Sequence, residues 1–165
     1  MGMEVLLVED NPGDIRLTRE AFRSVNPYIR VSVARDGAEA LAFLHQTGDH
    51  FQAPHPDIVL LDLNLPRLHG REVLSQMKSD ALLKTIPVII LTTSTNPLDI
   101  ATSYELQANS YLKKPEEWEA FEKLVRSLND FWITHAILPG YQAGKRNSGC
   151  FGLTFSTSTD KITKV

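Results

Sequence analysis

The sequence predicts an α/β protein whose doubly wound sheet has five parallel strands and is covered by five helices. Apolar runs of strand length alternate along the chain with longer amphipathic segments. Three of the runs are continuously apolar, which is typical of parallel strands that are covered on both faces. Together, the alternation and the continuous runs favour right-handed crossovers and one open sheet.

The predicted strands fall into a strong and a weak group. The strong group contains MEVLLVE, PDIVLLD and PVIILTT, at residues 3–9, 56–62 and 87–93. The weak group contains IRVSVA and SYLKK, at residues 29–34 and 110–114. Each run has the length of a strand, so the five together account for the predicted sheet.

Capping residues and apolar periodicity place the helices between these strands. Asn11 and Asp36 each precede a segment in which apolar residues recur at spacings of three and four, and Pro12 suits a first helical turn. Three further helices are predicted over about 69–79, after Pro97, and over 116–132. The last of these, EEWEAFEKLVRSLNDFW, has the clearest helical period of the chain.

Length and charge limit the class of protein. A chain of 165 residues is long enough for one domain with a substantial core, and we expect this domain over residues 1–138. Beyond it the composition shifts to Gly, Ser and Thr without helical periodicity, so residues 139–165 are predicted to be a tail with no separate domain. The formal net charge of −3 argues against a nucleic-acid partner.

The cellular setting is predicted from the cysteine content and the N-terminus. The one cysteine, Cys150, cannot form an intramolecular disulfide, which suits a reducing cytoplasm. The first ten residues, MGMEVLLVED, lack a basic region and meet acidic residues too early for a signal peptide. Because no apolar run approaches the length of a membrane span, we expect a cytoplasmic protein with no membrane partner.

The residues best suited to chemistry lie at the carboxyl ends of the predicted strands. They are Glu9 and Asp10 at the end of the first strand, Asp62 at the end of the third, Thr92 and Thr93 at the end of the fourth, and Lys113 and Lys114 at the end of the fifth. In open α/β sheets, functional sites form at the carboxyl ends of the strands, near the point where the strand order reverses. If the first and third strands are neighbours, the carboxylates of Glu9, Asp10 and Asp62 converge there.

Such a convergence requires a neutralising charge. Two like charges ~4 Å apart cost about 4 kcal/mol at an effective dielectric constant near 20. Either the site holds a proton or a cation binds, and oxygen ligands without His or Cys suit Mg²⁺. A lysine and a threonine hydroxyl beside the acids would complete a site for a phosphoryl group.

Four motifs resemble the response-regulator receiver domain of two-component signalling. They are VLLVEDN (5–11), LLDLNLPRLHG (60–70), VIILTTS (88–94) and YLKKP (111–115), and the resemblance covers roughly residues 3–132. The phrases DLNLP, GREVL, SYEL and a terminal FW before LP are similar to the small regulators that partner cyanobacterial phytochrome histidine kinases. The resemblance implies the flavodoxin-like strand order 2-1-3-4-5.

The resemblance also implies the roles of the acidic residues. Asp62 would accept a phosphoryl group from a kinase histidine, that of a phytochrome-type kinase, and would form an aspartyl phosphate. The implied ligands of Mg²⁺ are Glu9, Asp10, Asp62 and the backbone carbonyl of Asn64. Phosphorylation would therefore depend on the metal.

Further roles are implied at the fourth and fifth strands. Thr92 and Lys114 would contact the phosphoryl oxygens, and Tyr111 matches the aromatic switch residue that turns inward in the active state. The Lys114–Pro115 step matches a lysine–proline step whose peptide bond is usually cis in the family. Thr93 stands where many receivers have alanine and adds bulk beside the site.

The last helix carries a wide apolar stripe. A single stripe facing the core is the ordinary explanation, yet a terminal helix on one sheet face rarely buries so many large side chains. With the resemblance in support, we expect a homodimer contact formed by Trp118, Phe121, Val125, Leu128, Phe131 and Trp132.

Two other function classes compete with a non-enzymatic, single-domain response regulator. An aspartate-nucleophile phosphatase needs a second aspartate two residues after the nucleophile, but that position holds Asn64, which cannot transfer a proton. A flavodoxin-like FMN carrier needs a loop rich in Ser, Thr and Gly after the first strand. The sequence there is EDNPGD (9–14), whose negative charge would repel a phosphate.

Overall fold

Five parallel strands form one sheet in the computed structural model, which describes residues 2–139. The strands are β1 (Glu4–Val8), β2 (Arg30–Ala34), β3 (Ile58–Leu61), β4 (Val88–Thr92) and β5 (Ser110–Lys113). They are hydrogen-bonded in the order β2-β1-β3-β4-β5. The predicted fold class and strand order are therefore confirmed, and the weak strand candidates are real strands at the two edges of the sheet.

Five α-helices connect and flank the strands. They are α1 (Pro12–Val25), α2 (Gly37–Leu44), α3 (Gly70–Ser79), α4 (Pro97–Glu105) and α5 (Trp118–Leu128). A 3₁₀ turn lies at Gly48–His50, and α5 continues directly into a π-helix at Asn129–His135. None of the helices in the described part of the chain is long and apolar enough to cross a membrane.

Side-chain caps, two of them predicted, explain where three of the helices begin. The Asn11 side chain accepts hydrogen bonds from the backbone N–H groups of Gly13 and Asp14, at 2.8 and 3.1 Å. The side chains of Asp36 and Asn96 cap α2 and α4 in the same way. Each cap satisfies backbone donors that have no partner within the helix. The capped helices begin close to the residues that the sequence indicated.

The core consists of two apolar layers, one on each face of the sheet. Residues of one strand alternate between the layers because successive side chains of a strand point to opposite faces. Leu6 and Leu61 belong to the layer that also contains residues of α2 and α3. Leu7 and Leu60 belong to the layer that contains residues of α1 and α5. Both faces of β1, β3 and β4 are thus buried, as their continuous apolar runs predicted.

The apolar stripe of α5 is largely used to cover the sheet. Phe121 and Val125 are 0% exposed, and Leu128 is also buried. All three belong to the core layer between the sheet and α1, so their predicted place in a dimer interface is wrong. Trp118 is 39% and Phe131 59% exposed, while Trp132 is partly buried against the same layer. The prediction failed because the side chains of α5 that cover the sheet cannot also contact a second chain.

Two further predictions concern the Lys114–Pro115 peptide bond and the C-terminal tail. Every peptide bond within residues 2–139 is trans, so the expected cis bond between Lys114 and Pro115 is not found. The trans form is the one that X–Pro bonds favour, by about 0.5–1 kcal/mol. The predicted tail beyond Pro139, including Cys150, lies outside the residues that the structure describes.

Candidate functional site

Four buried polar side chains meet at the carboxyl edge of the sheet. Glu9, Asp62 and Lys114 directly follow β1, β3 and β5 and are 2%, 7% and 4% exposed, and Thr92, the last residue of β4, is fully buried. Because β1 pairs with β3, and β3 with β4, parallel strand ends bring residues from distant parts of the sequence together. The predicted convergence at this edge is found for these four side chains. Asp10, next to Glu9, is exposed.

The Lys114 ammonium is the centre of the cluster. Its Nζ donates hydrogen bonds to Glu9 Oε2 at 2.5 Å, to Asp14 Oδ2 at 2.8 Å and to Asp62 Oδ2 at 3.3 Å. The backbone holds the lysine in place because the Lys114 N–H donates to the Thr92 carbonyl at 2.7 Å. The adjacent Lys113 is exposed. The choice of Lys114 over Lys113 as the site lysine therefore agrees with the geometry.

Asp14 is a member of the cluster that sequence reasoning missed. It lies in the first turn of α1, where an acidic residue interacts favourably with the positive end of the helix dipole. That local role was a sufficient explanation of the residue in the sequence. Only the tertiary structure shows that the carboxylate also contacts Lys114, 100 residues away. The motif EDNPGD offered one signal, since it places a third acid four residues after Asp10.

Burial perturbs the titration of Glu9. Removal of the carboxylate from water raises the pKa of Glu9 above its ordinary value. Hydrogen bonds from the Lys114 ammonium and from the Asn11 N–H favour the charged form, and they offset the burial only in part. Glu9 therefore takes up a proton more readily than a glutamate exposed to water.

The pKa of Lys114 is set by its carboxylate neighbours rather than by burial. Burial by itself would lower the pKa of the Lys114 ammonium, because the charged form is the one that loses hydration. Hydrogen bonds to Asp14 and Glu9 and the negative charge of Asp62 outweigh that effect, and the pKa is raised. The lysine is thus a permanent positive charge at the carboxyl edge over the physiological pH range.

The cluster carries more negative than positive charge. Three carboxylates surround one ammonium, which leaves a net charge of −2 when all four groups are ionised. Within residues 2–139, no three His, Cys, Asp or Glu side chains are arranged so that they could hold a metal ion. Of the predicted ligands, Glu9 and Asp62 instead share the Lys114 ammonium, and Asp10 is exposed. Their oxygen atoms nevertheless form a donor set that suits a hard divalent cation.

The loop between β3 and α3 positions Asp62 through close backbone packing. A β-carbon at Gly70 would lie 2.2 Å from the Asp62 carbonyl oxygen and 2.8 Å from the Leu63 Cα atom, so only glycine fits there. The Asn64 N–H donates to Asp62 Oδ1 at 3.1 Å and orients the carboxylate.

Arg67 has a left-handed backbone with φ of 63°. Its guanidinium lies 3.0 Å from the capping carboxylate of α2.

Thr92 and Tyr111 are connected through Ser94. The Ser94 N–H donates to Thr92 Oγ1 at 3.4 Å, and the Tyr111 hydroxyl donates to the Ser94 carbonyl at 3.0 Å. The Tyr111 side chain is half-buried and packs against the core layer of α2 and α3. Tyr111 therefore points inward in this structure. Thr93, which was expected to add bulk at the site, is exposed.

Comparison with known proteins decides the family. The model of the response regulator receiver domain matches residues 5–126, which include the whole sheet except Glu4 and the whole charged cluster. The chain belongs to the response regulator receiver domain family. The predicted function class is therefore confirmed, and neither the flavodoxin-like carrier nor the phosphatase is favoured.

This receiver domain has well-matched relatives. Response regulator Rcp1 of Synechocystis sp. (strain ATCC 27184 / PCC 6803 / Kazusa) is 43% identical over 135 residues, which cover 82% of this chain and 92% of Rcp1. The probable methanogenesis regulatory protein FilR2 of Methanothrix harundinacea (strain 6Ac) is 40% identical over 138 residues, which cover 82% of this chain and 87% of FilR2. The match therefore extends over nearly the full length of both relatives.

Solved structures confirm the fold of the receiver domain. The phosphorylated cyanobacterial phytochrome response regulator RcpA has a TM-score of 0.81 and 44% identity, and the match covers 85% of this chain and 100% of RcpA. The Mn²⁺-bound form of Rcp1 has a TM-score of 0.78 and 42% identity, covering 84% and 99% of the two chains. The chain thus resembles phytochrome response regulators in both sequence and structure.

Proposed function

We propose that this receiver domain accepts a phosphoryl group on Asp62 from a histidine kinase and acts as a single-domain response regulator over residues 1–138. The observation that carries the proposal is the burial of the Asp62 carboxylate at the carboxyl edge, 3.3 Å from the Lys114 ammonium. A buried nucleophilic carboxylate beside a fixed cation suits the transfer of an anionic group.

The chemistry follows from the groups at the edge. An oxygen of Asp62 attacks the phosphorus of a phosphohistidine, a P–O bond forms, and the P–N bond to the imidazole breaks. The imidazole leaves with the electron pair of that bond and takes up a proton. Lys114 and the Thr92 hydroxyl stabilise the negative charge of the transferred oxygens. The product is a mixed anhydride, which hydrolyses readily and so allows the signal to end.

The excess negative charge of the cluster supports a divalent cation in this reaction. We propose Mg²⁺, held by Glu9, Asp10, Asp62 and the backbone carbonyl of Asn64. The Mn²⁺-bound structure of Rcp1 supports a divalent cation at such a site. The metal would supply positive charge that reduces repulsion between the acids and the incoming phosphoryl group.

The output is a change of surface rather than a further reaction. Thr92 would turn its hydroxyl towards the phosphoryl oxygens, and Tyr111 would be held inward when they are present. The two residues already share contacts with Ser94, which supports their coupling. The chain is on this proposal a signalling protein and not an enzyme, with neither nucleic acid nor membrane as its target.

We further propose a phytochrome-type histidine kinase in the cytoplasm as the partner. The support is the similarity to Rcp1 and RcpA, of which RcpA is a phytochrome response regulator. The similarity of FilR2 is nearly as high, so the kinase must be tested directly. Purified phytochrome kinase labelled with ³²P should transfer its label to this chain within minutes, and a histidine kinase of another sensor class should be much slower. Equal rates would contradict the phytochrome assignment.

A homodimer is the second part of the proposal. After the correction for α5, the available apolar groups are Trp118 and Phe131, and Ile137 is also exposed. A cavity of about 320 Å³ lies beside Phe131 and Trp132, between β5 and the end of α5. An exposed aromatic beside an apolar cavity is typical of a contact with a second chain.

Intact mass measurement tests the phosphoacceptor. Incubation with acetyl phosphate and Mg²⁺ should add one phosphoryl mass to the wild type and none to Asp62→Asn. Asp49→Asn, which changes an exposed acid of the 3₁₀ turn, is the matched control and should be labelled like the wild type. Labelling of Asp62→Asn at the wild-type level would show that another residue is the acceptor.

A further inference from the structure

The Asp99 carboxylate connects three segments that surround the fourth strand. Asp99 lies in the first turn of α4, and one of its oxygens forms an ion pair with the guanidinium of Arg71, the second residue of α3. The other oxygen accepts a hydrogen bond from the Ser94 hydroxyl at 2.5 Å. Ser94 belongs to the loop between β4 and α4. The carboxylate therefore ties this loop and α4 to α3.

Ser94 transmits that connection to the two residues with proposed switching roles. Its N–H donates to Thr92 Oγ1, and its carbonyl accepts the hydrogen bond of the Tyr111 hydroxyl. One residue thus holds Asp99 with its side chain, and Thr92 and Tyr111 with its backbone. A movement of the Ser94 carbonyl removes the acceptor that keeps the Tyr111 ring inward.

Polar contacts matter here because α4 has little apolar anchorage. Ser103 is its one buried residue, and Leu98 and Tyr104 are exposed. The Ser103 hydroxyl donates to the Asp99 backbone carbonyl within the helix, at 2.7 Å, and so does not anchor α4 to another element. The Tyr104 hydroxyl accepts the Tyr111 N–H at 3.1 Å. A helix with few buried contacts changes position at low cost, so single polar contacts can decide its position.

We propose that Asp99, together with Arg71, is a positioning residue that holds the Ser94 carbonyl where it captures the Tyr111 hydroxyl. The inference rests on the proposed function, since it assigns to this cluster the balance between the inward and outward positions of Tyr111. The Asp99 carboxylate touches no reacting group. It acts on Asp62 through Ser94, Thr92 and Tyr111.

Thermodynamic linkage connects this balance to phosphoryl binding. A ligand that favours the inward position binds more weakly when that position is less populated, and by the same factor. Loss of the Asp99 contacts should therefore lower the inward population of Tyr111 and the affinity for a phosphoryl analogue together. For a partly exposed ion pair, the inward-to-outward equilibrium constant should fall about threefold, and the affinity by up to that factor.

The first experiment observes Tyr111 without metal or phosphoryl group. The full chain is labelled with 3-fluorotyrosine, and the ¹⁹F resonance of Tyr111 is assigned from its loss in Tyr111→Phe. Asp99→Ala, Arg71→Gln and Ser94→Ala should each shift this resonance towards the outward position. Arg71→Lys, which keeps the charge, should restore most of the wild-type position. Arg16→Gln is the control, because it breaks a fully exposed ion pair on α1.

The second experiment measures binding of beryllium fluoride in the presence of Mg²⁺. The dissociation constant should rise by up to about threefold in Asp99→Ala and in Ser94→Ala. The double variant should show no larger rise, because both changes break one connection. Melting temperatures measured on the same samples separate a positioning effect from a loss of fold.

The outcomes distinguish this inference from the proposed function. If the wild type neither binds beryllium fluoride nor gains phosphoryl mass, the proposed function fails. If the wild type does both, but Asp99→Ala, Arg71→Gln and Arg16→Gln all keep the wild-type Tyr111 resonance and affinity, the inference fails alone. Equal changes in Arg16→Gln and Asp99→Ala would also overturn it, because the effect would not depend on the cluster.

Discussion

The ammonium nitrogen of Lys114 lies 2.5 Å from the Oε2 atom of Glu9, although 105 residues separate them in the sequence. Both side chains are almost fully buried. Charges of opposite sign at this depth stabilise the fold only as a pair, because either one alone would retain its cost of dehydration. The pair joins the end of β1 to the end of β5 across the carboxyl edge, and its behaviour leads to the first prediction.

Lys114→Gln should lower the free energy of unfolding by about 3 kcal/mol at pH 8, because Glu9, Asp14 and Asp62 lose their shared counter-charge. The deficit should shrink as the pH falls, since burial already raises the pKa of Glu9 and protonation removes its charge. Urea unfolding in EDTA measures both effects. Lys113→Gln, the exposed neighbour, should stay within about 0.5 kcal/mol of the wild type. Equal stability of the two variants would contradict the central position of Lys114.

Addition of Mg²⁺ to EDTA-treated protein should raise the melting temperature of the wild type. Ligand at 100 times its dissociation constant stabilises the folded state by about 2.7 kcal/mol. Asp10→Asn should unfold like the wild type in EDTA, because Asp10 is exposed, but it should lose most of the Mg²⁺ increment. Lys114→Gln should gain more than the wild type, since the metal replaces the missing charge. A wild-type increment in Asp10→Asn would remove Asp10 from the proposed ligands.

Gly70→Ala should destabilise the fold by about 3 kcal/mol, because the added methyl group would meet the Asp62 carbonyl and the backbone of Leu63. Displacement of this backbone should also reduce labelling by acetyl phosphate. Gly48→Ala is the matched control. Its β-carbon would meet no described atom within 4 Å, but φ of 58° costs an alanine about 1 kcal/mol. Denaturant unfolding and intact mass distinguish the two variants. Equal losses in the free energy of unfolding would show that the backbone near residue 70 moves to accept the methyl group without strain.

Substitution of two phenylalanines, one in α5 and one in the π-helix that follows it, should separate folding from dimerisation. Phe121→Ala should lower the free energy of unfolding by about 3–5 kcal/mol, since it removes a fully buried ring from the core. Phe131→Ser should cost little stability but raise the dimer dissociation constant at least about tenfold, because its ring is 59% exposed. Sedimentation velocity over a concentration series measures the dimer. A monomeric wild type at all concentrations would end the dimer proposal.

The ionised Asp80 carboxylate should stabilise the fold near neutral pH and lose this effect in acid. A hydrogen bond from His45 lowers the pKa of Asp80, and the backbone N–H of Leu82 adds to the effect. The folded-state pKa thus lies below the unfolded value, so the contribution is complete above about pH 4 and is lost as the pH falls through the folded value. Unfolding curves of wild type and Asp80→Asn should converge between about pH 4 and pH 2. A difference that does not change over this range would contradict the interaction.

The elements of this receiver domain could be predicted because their signals are local. The continuous apolar run at 58–61 and the cap at Asn11 depend on neighbours within a few residues, and the structure contains both. The positions of Glu9, Asp62, Thr92 and Lys114 could also be predicted, because each lies at the carboxyl end of a strand. Parallel strands then necessarily bring these residues to one edge.

The sequence by itself determined the strand order through its motifs and placed most polar residues of the site at the correct strand ends. Only the tertiary structure decided that Lys114 contacts Asp14, that Phe121 faces the sheet, and that Asp99 holds Ser94. The physical reason is distance along the chain. Secondary structure reflects interactions between near neighbours. A contact such as Lys114 to Asp14 depends instead on how separate elements pack and on which partner best offsets the free-energy cost of burying a charge.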